Sequence, residues 1–323
     1  MSSRLDQRIA IVTGAGSGIG RAVAKLFSRE GARVHAAEIN PESARELAVG
    51  SDGGIVAHEV DVADPDAVEK LARKVLAAEG RVDILVSNAG VCAGGRAEQL
   101  PLEDWRRTVD VNLMGAVHCL RSFGPSMIAA GSGRIVLVAS AAGLIGFPFV
   151  APYVASKFAL VGLAESLDIE LAARGVRVAA VCPGPAGTKL FERAELRTSP
   201  ELAGRLARLM ERGGTPPERV ARDVLTAALG RRQSVTRGGL LTPLLALKRL
   251  SPELYAAAFR AIARLLQRRI THPAEIRSCA QKLRFPRQRA RTPSCAGSAR
   301  ACAAAPEPRR DRNPYAPAAR RRW

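Results

Sequence analysis

Cysteine pairs, long apolar runs and aromatic residues are what this sequence has least of. Its six cysteines are scattered, with no C-x-x-C pair and no Cys/His cluster at metal-ligand spacing. No metal site is expected, and a chain with reduced thiols is the plain reading. No stretch of about 18 uncharged apolar residues occurs, so a membrane-spanning helix is not expected. The opening residues, MSSRLDQRIAIVTG, run into a strand pattern with no apolar leader, and the expected location is the cytoplasm. Aromatics make up only 4 % of the chain, too few to interleave with its basic residues as single-stranded nucleic-acid binding requires.

Charge is what the sequence has in excess. The 323 residues carry 49 Lys/Arg and 30 Asp/Glu, a net +19. From Thr271 to Trp323 there are thirteen Lys/Arg against three acids, a surplus of ten. Roughly half the excess therefore sits in the terminal sixth, and what remains is a mildly basic globular domain. The terminal segment lacks periodicity and is rich in Arg, Pro, Ala and Ser, so 271–323 is predicted to be disordered. Its composition would also suit out-of-frame translation of a GC-rich gene. Specific nucleic-acid recognition is not expected, and removing 271–323 would abolish any salt-dependent affinity the tail supplies.

Short apolar runs alternate with helical patterns. Strands are predicted at Ile9–Thr13, Arg33–Glu38, Ile55–Val60, Asp83–Ser87, Arg134–Ser140, Val176–Cys182 and Gln233–Thr236. Helices are predicted near 19–30, 41–49, 65–79, 103–130, 153–173 and 217–229. Apolar runs without alternation suit parallel strands covered on both faces. The β-α-β order implies an α/β, doubly wound Rossmann fold with a mostly parallel sheet over about residues 1–240. Residues 241–270 read as a helical extension of two basic, apolar helices broken at Ser251-Pro252. In the second, Leu254, Ala258, Ile262, Leu265 and Leu266 lie near one face. Packing on the domain or a lid over a pocket is the favoured role, with peripheral membrane contact the minor alternative.

Chemistry collects at the strand ends. TGAGSGIG follows the first strand and opens the first helix, where Gly14, Gly18 and Gly20 allow a tight turn and close backbone approach to a pyrophosphate. Glu38 ends the second strand eighteen residues beyond Gly20. An acid there can accept both ribose hydroxyls and repel a 2′-phosphate, and Ser17 and Ile39 bring no positive charge, so NAD is favoured over NADP. Asp61 and Val62 close the third strand, and Asp64 with Pro65 reads as a helix cap. Ser87, Asn88, Ala89 and Gly90 end the fourth. Asn112 lies within a helical, partly apolar segment. Ser140 ends the fifth strand; after an apolar loop, Tyr153 and Lys157 stand one helical turn apart. An ammonium so close to a phenol would lower the phenol pKa and suit it to proton exchange near neutral pH. Pro183, Gly184 and Thr188 follow the sixth strand, before a long segment that reads as a lid.

Taken in order, these motifs resemble the short-chain dehydrogenase/reductase family over about residues 5–236. The resemblance implies a seven-stranded doubly wound sheet and hydride transfer between a nicotinamide and an alcohol or carbonyl carbon. It implies catalytic roles for Asn112, Ser140, Tyr153 and Lys157. Tyr153 would be the general acid/base, Ser140 would hydrogen-bond the substrate oxygen, and Asn112 would support a water relaying protons to Lys157. Cofactor contacts would come from Gly14, Ser17, Gly18, Ile19, Gly20, Glu38, Asp61, Val62, Asn88, Ala89, Gly90, Tyr153, Lys157, Pro183, Gly184 and Thr188. Asn88 would also steady the central strand. The helices holding Asn112 and Tyr153 would form a homodimer or homotetramer interface.

Three departures stand out: Ser87 in place of a second Asn, a missing Asp-Gly-Gly-type ending, and the 271–323 tail. Leu144, Ile145, Phe147, Phe149 and Val150 suggest a hydrophobic alcohol or carbonyl substrate. The alternative reading is a non-catalytic nucleotide-binding or scaffold protein on the same fold, against which the intact Ser/Tyr/Lys set counts.

Overall fold

The computed structural model describes residues 3–49, 51, 54–187, 190, 195–197, 214–230, 234–237 and 241–270. The chain divides into two units, Met1–His272 and Pro273–Trp323, and the basic tail lies outside the described residues.

Strand β1 (Ile9–Thr13) leads through the glycine turn into α1 (Gly18–Arg29). Then come β2 (Arg33–Glu38), α2 (Pro41–Val49), β3 (Ile55–Glu59), α3 (Pro65–Glu79) and β4 (Ile84–Ser87). A two-residue strand β5 (Ala93–Gly94) precedes α4 (Leu102–Val109), α5 (Gly115–Ala129), β6 (Gly133–Val138), α6 (Ala151–Leu171) and β7 (Val176–Pro183). A short β8 (Glu195–Leu196), α7 (Pro217–Ala228), β9 (Ser234–Arg237), α8 (Leu241–Leu250) and α9 (Pro252–Ile270) complete the described elements.

Seven strands pair in the order β3-β2-β1-β4-β6-β7-β9. Every pairing is parallel. The sheet needs its apolar runs because helices cover both faces. Ala10 and Val12 of β1 join Val23 and Phe27 of α1 and Val220 and Val224 of α7 on one side. Ile9 and Ile11, pointing the other way, join Val75 of α3, Phe123 of α5 and Leu160 of α6. Strand order reverses between β1 and β4, so the crevice for a ligand opens at their carboxyl ends.

Local chemistry sets the element ends. Asp64 caps α3 by accepting the N–H groups of Asp66 and Ala67 at 2.9 and 3.3 Å. Asp168 of α6 is held by the Arg177 guanidinium at 2.8 and 3.0 Å and accepts the Val178 N–H at 2.9 Å. That bidentate clamp fixes α6, the Tyr153 helix, against β7.

Three differences from the sequence expectation bear on the site. The helix predicted over 103–130 is two helices joined by one π-helical turn, Asp110–Met114, which carries Asn112. Strand β6 ends at Val138, and Ser140 instead caps a 3-10 turn, Ala141–Gly143, accepting the Ala142 N–H at 3.1 Å. Helix α6 starts two residues before Tyr153. Hydroxyl and amide side chains compete for backbone partners and displace the regular pattern at just such places.

Candidate active site

A cavity of about 790 Å³ opens over the carboxyl ends of the central strands. Gly14, Ser17, Gly18 and Ile19 line one end with Glu38, Ile39, Asp61 and Val62. Asn88, Ala89 and Gly90 form its middle, and Tyr153 and Lys157 the far wall. Most of the sequence-predicted set thus meets in one space. Gly20 lies beneath the glycine turn against Gly14 and Asn88, Asn112 and Ser140 stand behind the far wall, and Pro183 and Gly184 end β7 and begin the segment after it. Thr188 lies outside the described residues.

The glycine turn is built by close approach. Gly14 has φ 62°, a left-handed backbone suited to glycine. A Cβ on Gly20 would fall 2.1 Å from the Gly14 carbonyl oxygen and 2.5 Å from Asn88 Nδ2. Asn88 ties the turn to the fourth strand, donating from Nδ2 to the carbonyls of Thr13 and Gly14 at 2.9 and 3.2 Å. Thr13 answers from the other side: its hydroxyl accepts the N–H groups of Asn88 and Ala89 at 2.9 and 3.1 Å. Glu38 closes the turn, accepting the Gly16 N–H at 2.8 Å and the Asn40 N–H at 3.2 Å. Asp61 accepts the Ala63 N–H at 2.9 Å at the outer lip.

At the far wall the Ser140 side chain acts on the Tyr153 hydroxyl and lowers its pKa. Lys157 Nζ donates to the Val138 carbonyl at 2.9 Å and lies 5.7 Å from the Tyr153 ring centroid. Both side chains are buried. Here the expectation of a lowered phenol pKa is corrected. Burial pushes Tyr153 upward, the Ser140 side chain opposes this, and the nearby Cys92 thiol adds to the rise. Burial also lowers Lys157, to about 8, because an ammonium without water is disfavoured. Loss of water is the largest cause at both groups.

Asn112 is wholly engaged. Its Oδ1 accepts the Val91 N–H at 2.8 Å, and its Nδ2 donates to the Val91 carbonyl at 3.0 Å and to Ser156 Oγ at 2.9 Å. Its side chain is thus committed to structure, so any support for a water would fall to its backbone. The π turn is what swings the amide into this bridge, and such turns recur at functional sites.

Several residues at the site escaped sequence reasoning. Thr13 and Ser156 contribute buried hydroxyls with no pattern to mark them. Cys92, buried beside Tyr153, has its thiol pushed up to about 12 by burial and acts as an apolar wall. Asp104, which lines the cavity, is buried and holds the Arg197 guanidinium at 3.0 and 3.1 Å. That pair stands beside the parallel bridge of β5 with β8, a contact between segments about a hundred residues apart that spacing could not reveal.

The sequence model described as short chain dehydrogenase matches residues 8–198, more than half of the chain. The protein belongs to the short-chain dehydrogenase family. Among its relatives, D-threitol dehydrogenase of Mycolicibacterium smegmatis is 42 % identical over 194 residues, covering 59 % of this chain and 75 % of that protein. Cyclohexanol dehydrogenase of an Acinetobacter species is 35 % identical over 203 residues, covering 61 % and 81 %. A short-chain dehydrogenase/reductase from Burkholderia phymatum, solved in complex with NAD, superposes with a TM-score of 0.72 at 29 % identity, covering 77 % of this chain and 95 % of that one. As a member of the family the chain is an oxidoreductase that uses a nicotinamide cofactor. Its residues fit that group. The Gly14–Gly20 cradle excludes even a methyl group, and the cavity runs from there to Tyr153 without a break in its lining. Among the described residues no helix is long and apolar enough to cross a membrane, and no group of three or more His, Cys, Asp or Glu could hold a metal ion.

Proposed function

We propose that this short-chain dehydrogenase interconverts an alcohol and a ketone or aldehyde on an apolar small molecule, with NAD as the preferred cofactor. The observation that carries the reading is one cavity that has the glycine cradle at one end and the buried Tyr153–Lys157 pair at the other. The nicotinamide, when bound, supplies or accepts the hydride.

The chain's own residues handle the proton. With its pKa raised, Tyr153 is protonated at neutral pH and is ready to donate its O–H proton to a carbonyl oxygen. The resulting phenolate is stabilised by the Ser140 hydroxyl. Lys157, an ammonium below about pH 8, adds its charge from the same helix. In the oxidative direction Tyr153 must first lose its proton to solvent, and the phenolate then takes the proton from the alcohol. Ser140 also orients the substrate oxygen toward Tyr153. Glu38, on the lip next to Ile39, favours a free ribose diol and disfavours a 2′-phosphate by like charge. Cys92, Phe147, Val150 and Leu190 around Tyr153 favour a hydrocarbon skeleton. By the family resemblance, α5 and α6 would form the interface of a homodimer.

Turnover of cyclohexanol with NAD by Tyr153→Phe tests the chemistry. We expect a fall of about 10²–10⁴-fold with NADH binding retained. Near-normal hydride transfer by this variant would sink the assignment.

A further inference from the structure

The loop between Ser140 and Tyr153 is held from outside the nucleotide-binding fold. Helices α8 and α9 gather Leu241, Leu244, Leu245, Tyr255 and Phe259 around Ala141, Ile145 and Phe147. Polar contacts fix the same loop by its backbone. The Gly146 N–H donates to the Tyr255 hydroxyl at 3.1 Å, and that hydroxyl donates back to the Gly146 carbonyl at 3.4 Å. Lys248 Nζ donates to the Leu144 carbonyl at 2.6 Å while lying 4.7 Å from the Phe158 ring centroid. The inward face of α9 is therefore Tyr255 and Phe259. Leu254, which the spacing predicts on the packed face, is 58 % exposed. Two aromatic rings bury more area than Leu254 and Ala258 would, and one of them carries the hydroxyl that pairs with Gly146.

Phe147 belongs to both sides of this contact. It packs with Cys92, Ala142 and Tyr153, alongside Val150 and Leu190. It also meets Phe259 edge-to-face at 6.2 Å, and Phe259 lies 4.6 Å from Tyr255. In a close-packed interior a ring so placed moves only if its backing moves. The loop is under tension nearby: Phe149 has φ 67°, a left-handed backbone costing about 1–2 kcal/mol in an L-residue. Its carbonyl accepts the Gly95 N–H at 2.7 Å, which helps to hold that conformation.

We propose that the α8–α9 extension sets the size of the substrate space at Tyr153. Phe147 is the specificity-determining side chain, and Tyr255 is the positioning residue that acts on it through Gly146. The inference rests on the alcohol–carbonyl reading above and adds the ligand class: a compact hydrocarbon ring or chain bearing one hydroxyl or carbonyl. Its size limit is set by Phe147 and its backing.

The full chain, Phe147→Ala and Tyr255→Phe are compared on propan-2-ol, cyclohexanol and cyclododecanol with NAD. Hydrogen exchange is followed on the peptide covering 141–150. Phe147→Ala should raise kcat/KM for cyclododecanol relative to propan-2-ol by about tenfold. Tyr255→Phe should raise KM for cyclohexanol by about threefold with kcat and NADH affinity within about twofold, and should speed exchange at the Gly146 amide. An unchanged ratio in Phe147→Ala overturns the inference. So does a parallel loss of kcat and NADH affinity in Tyr255→Phe, or unaltered exchange at Gly146. A native enzyme inactive on all three alcohols would defeat the alcohol–carbonyl reading and the size claim with it. The exchange result would still decide whether Tyr255 clamps the loop.

Discussion

Asn112 pairs with Val91 as one strand residue pairs with another, its side-chain amide engaging both the Val91 N–H and the Val91 carbonyl. The amide spends its second N–H on Ser156 Oγ, whose own hydroxyl donates to the Tyr153 carbonyl at 2.8 Å. One buried side chain therefore ties the loop after β4 to the first turns of α6. Asn112→Ala leaves the Val91 N–H and carbonyl without the amide that now serves both. It should cost about 2–4 kcal/mol in urea unfolding, because each buried group left unmade carries its full desolvation penalty. NADH affinity should fall in parallel, since Val91 lines the cavity. A loss below about 0.5 kcal/mol would show the bridge to be dispensable.

The second prediction concerns the cradle. At Gly20 a methyl group meets the Gly14 carbonyl and Asn88, which is itself bound to Thr13 and Gly14. Backbone cannot retreat as a flexible side chain can. Gly20→Ala should weaken NADH binding in a fluorescence titration by about tenfold or more in Kd, with far-UV circular dichroism unchanged. Retention of native affinity would mean that the turn is not the pyrophosphate seat.

Cofactor choice is tested at Glu38. Its carboxylate accepts the Gly16 N–H and stands on the cavity lip. Glu38→Gln keeps an oxygen for that bond and removes the negative charge. NADPH affinity should rise by about tenfold relative to NADH, the size of one removed like-charge contact of about 1–2 kcal/mol. Equal binding of the two cofactors by the native chain would defeat the role given to Glu38.

Much of this was legible in the sequence because strand-end motifs carry their own context. TGAGSGIG after an apolar run could only be a strand-to-helix turn, and Asp64-Pro65 could be read as a cap from residue chemistry alone. Tyr153 and Lys157 were legible as neighbours from helical spacing. Their electrostatics were not, because burial depends on what the rest of the chain packs over them, and it reversed the expected direction for the phenol. Two of the five apolar loop residues serve a different contact for the same reason. Ile145 and Leu144 lie against the α8–α9 cluster and not at Tyr153, a contact across more than ninety residues of sequence. Thr13, Ser156 and the Asp104–Arg197 pair were invisible because a single hydroxyl or a distant ion pair leaves no periodicity.

A fourth prediction comes from the edge of the sheet. His35 and His58, on adjacent strands, are buried and stacked at 5.2 Å, with His35 Nδ1 2.9 Å from His58 Nε2. His35 Nε2 lies 3.1 Å from Glu79, which also holds Arg33 at 2.5 Å. Burial drives His58 down to about 4, with the charges of His35 and Lys74 adding to the fall. His35 is lowered as well, mainly by burial, against the pull of Glu79. Folded histidines are thus neutral where unfolded ones are charged, so between pH 6.5 and about 4 the unfolded state binds more protons. Stability is then fully present above pH 6.5 and is lost as pH falls. The carboxylates lowered in the fold, Glu30, Glu79, Glu98 and Asp168, lose their contribution only below their ordinary range near 4. The interval from pH 7 to 5 therefore isolates the histidines. The native chain should lose about 1–2 kcal/mol across it in urea unfolding, and His58→Gln should lose less than half as much. An equal slope in the two proteins would place the acid sensitivity elsewhere.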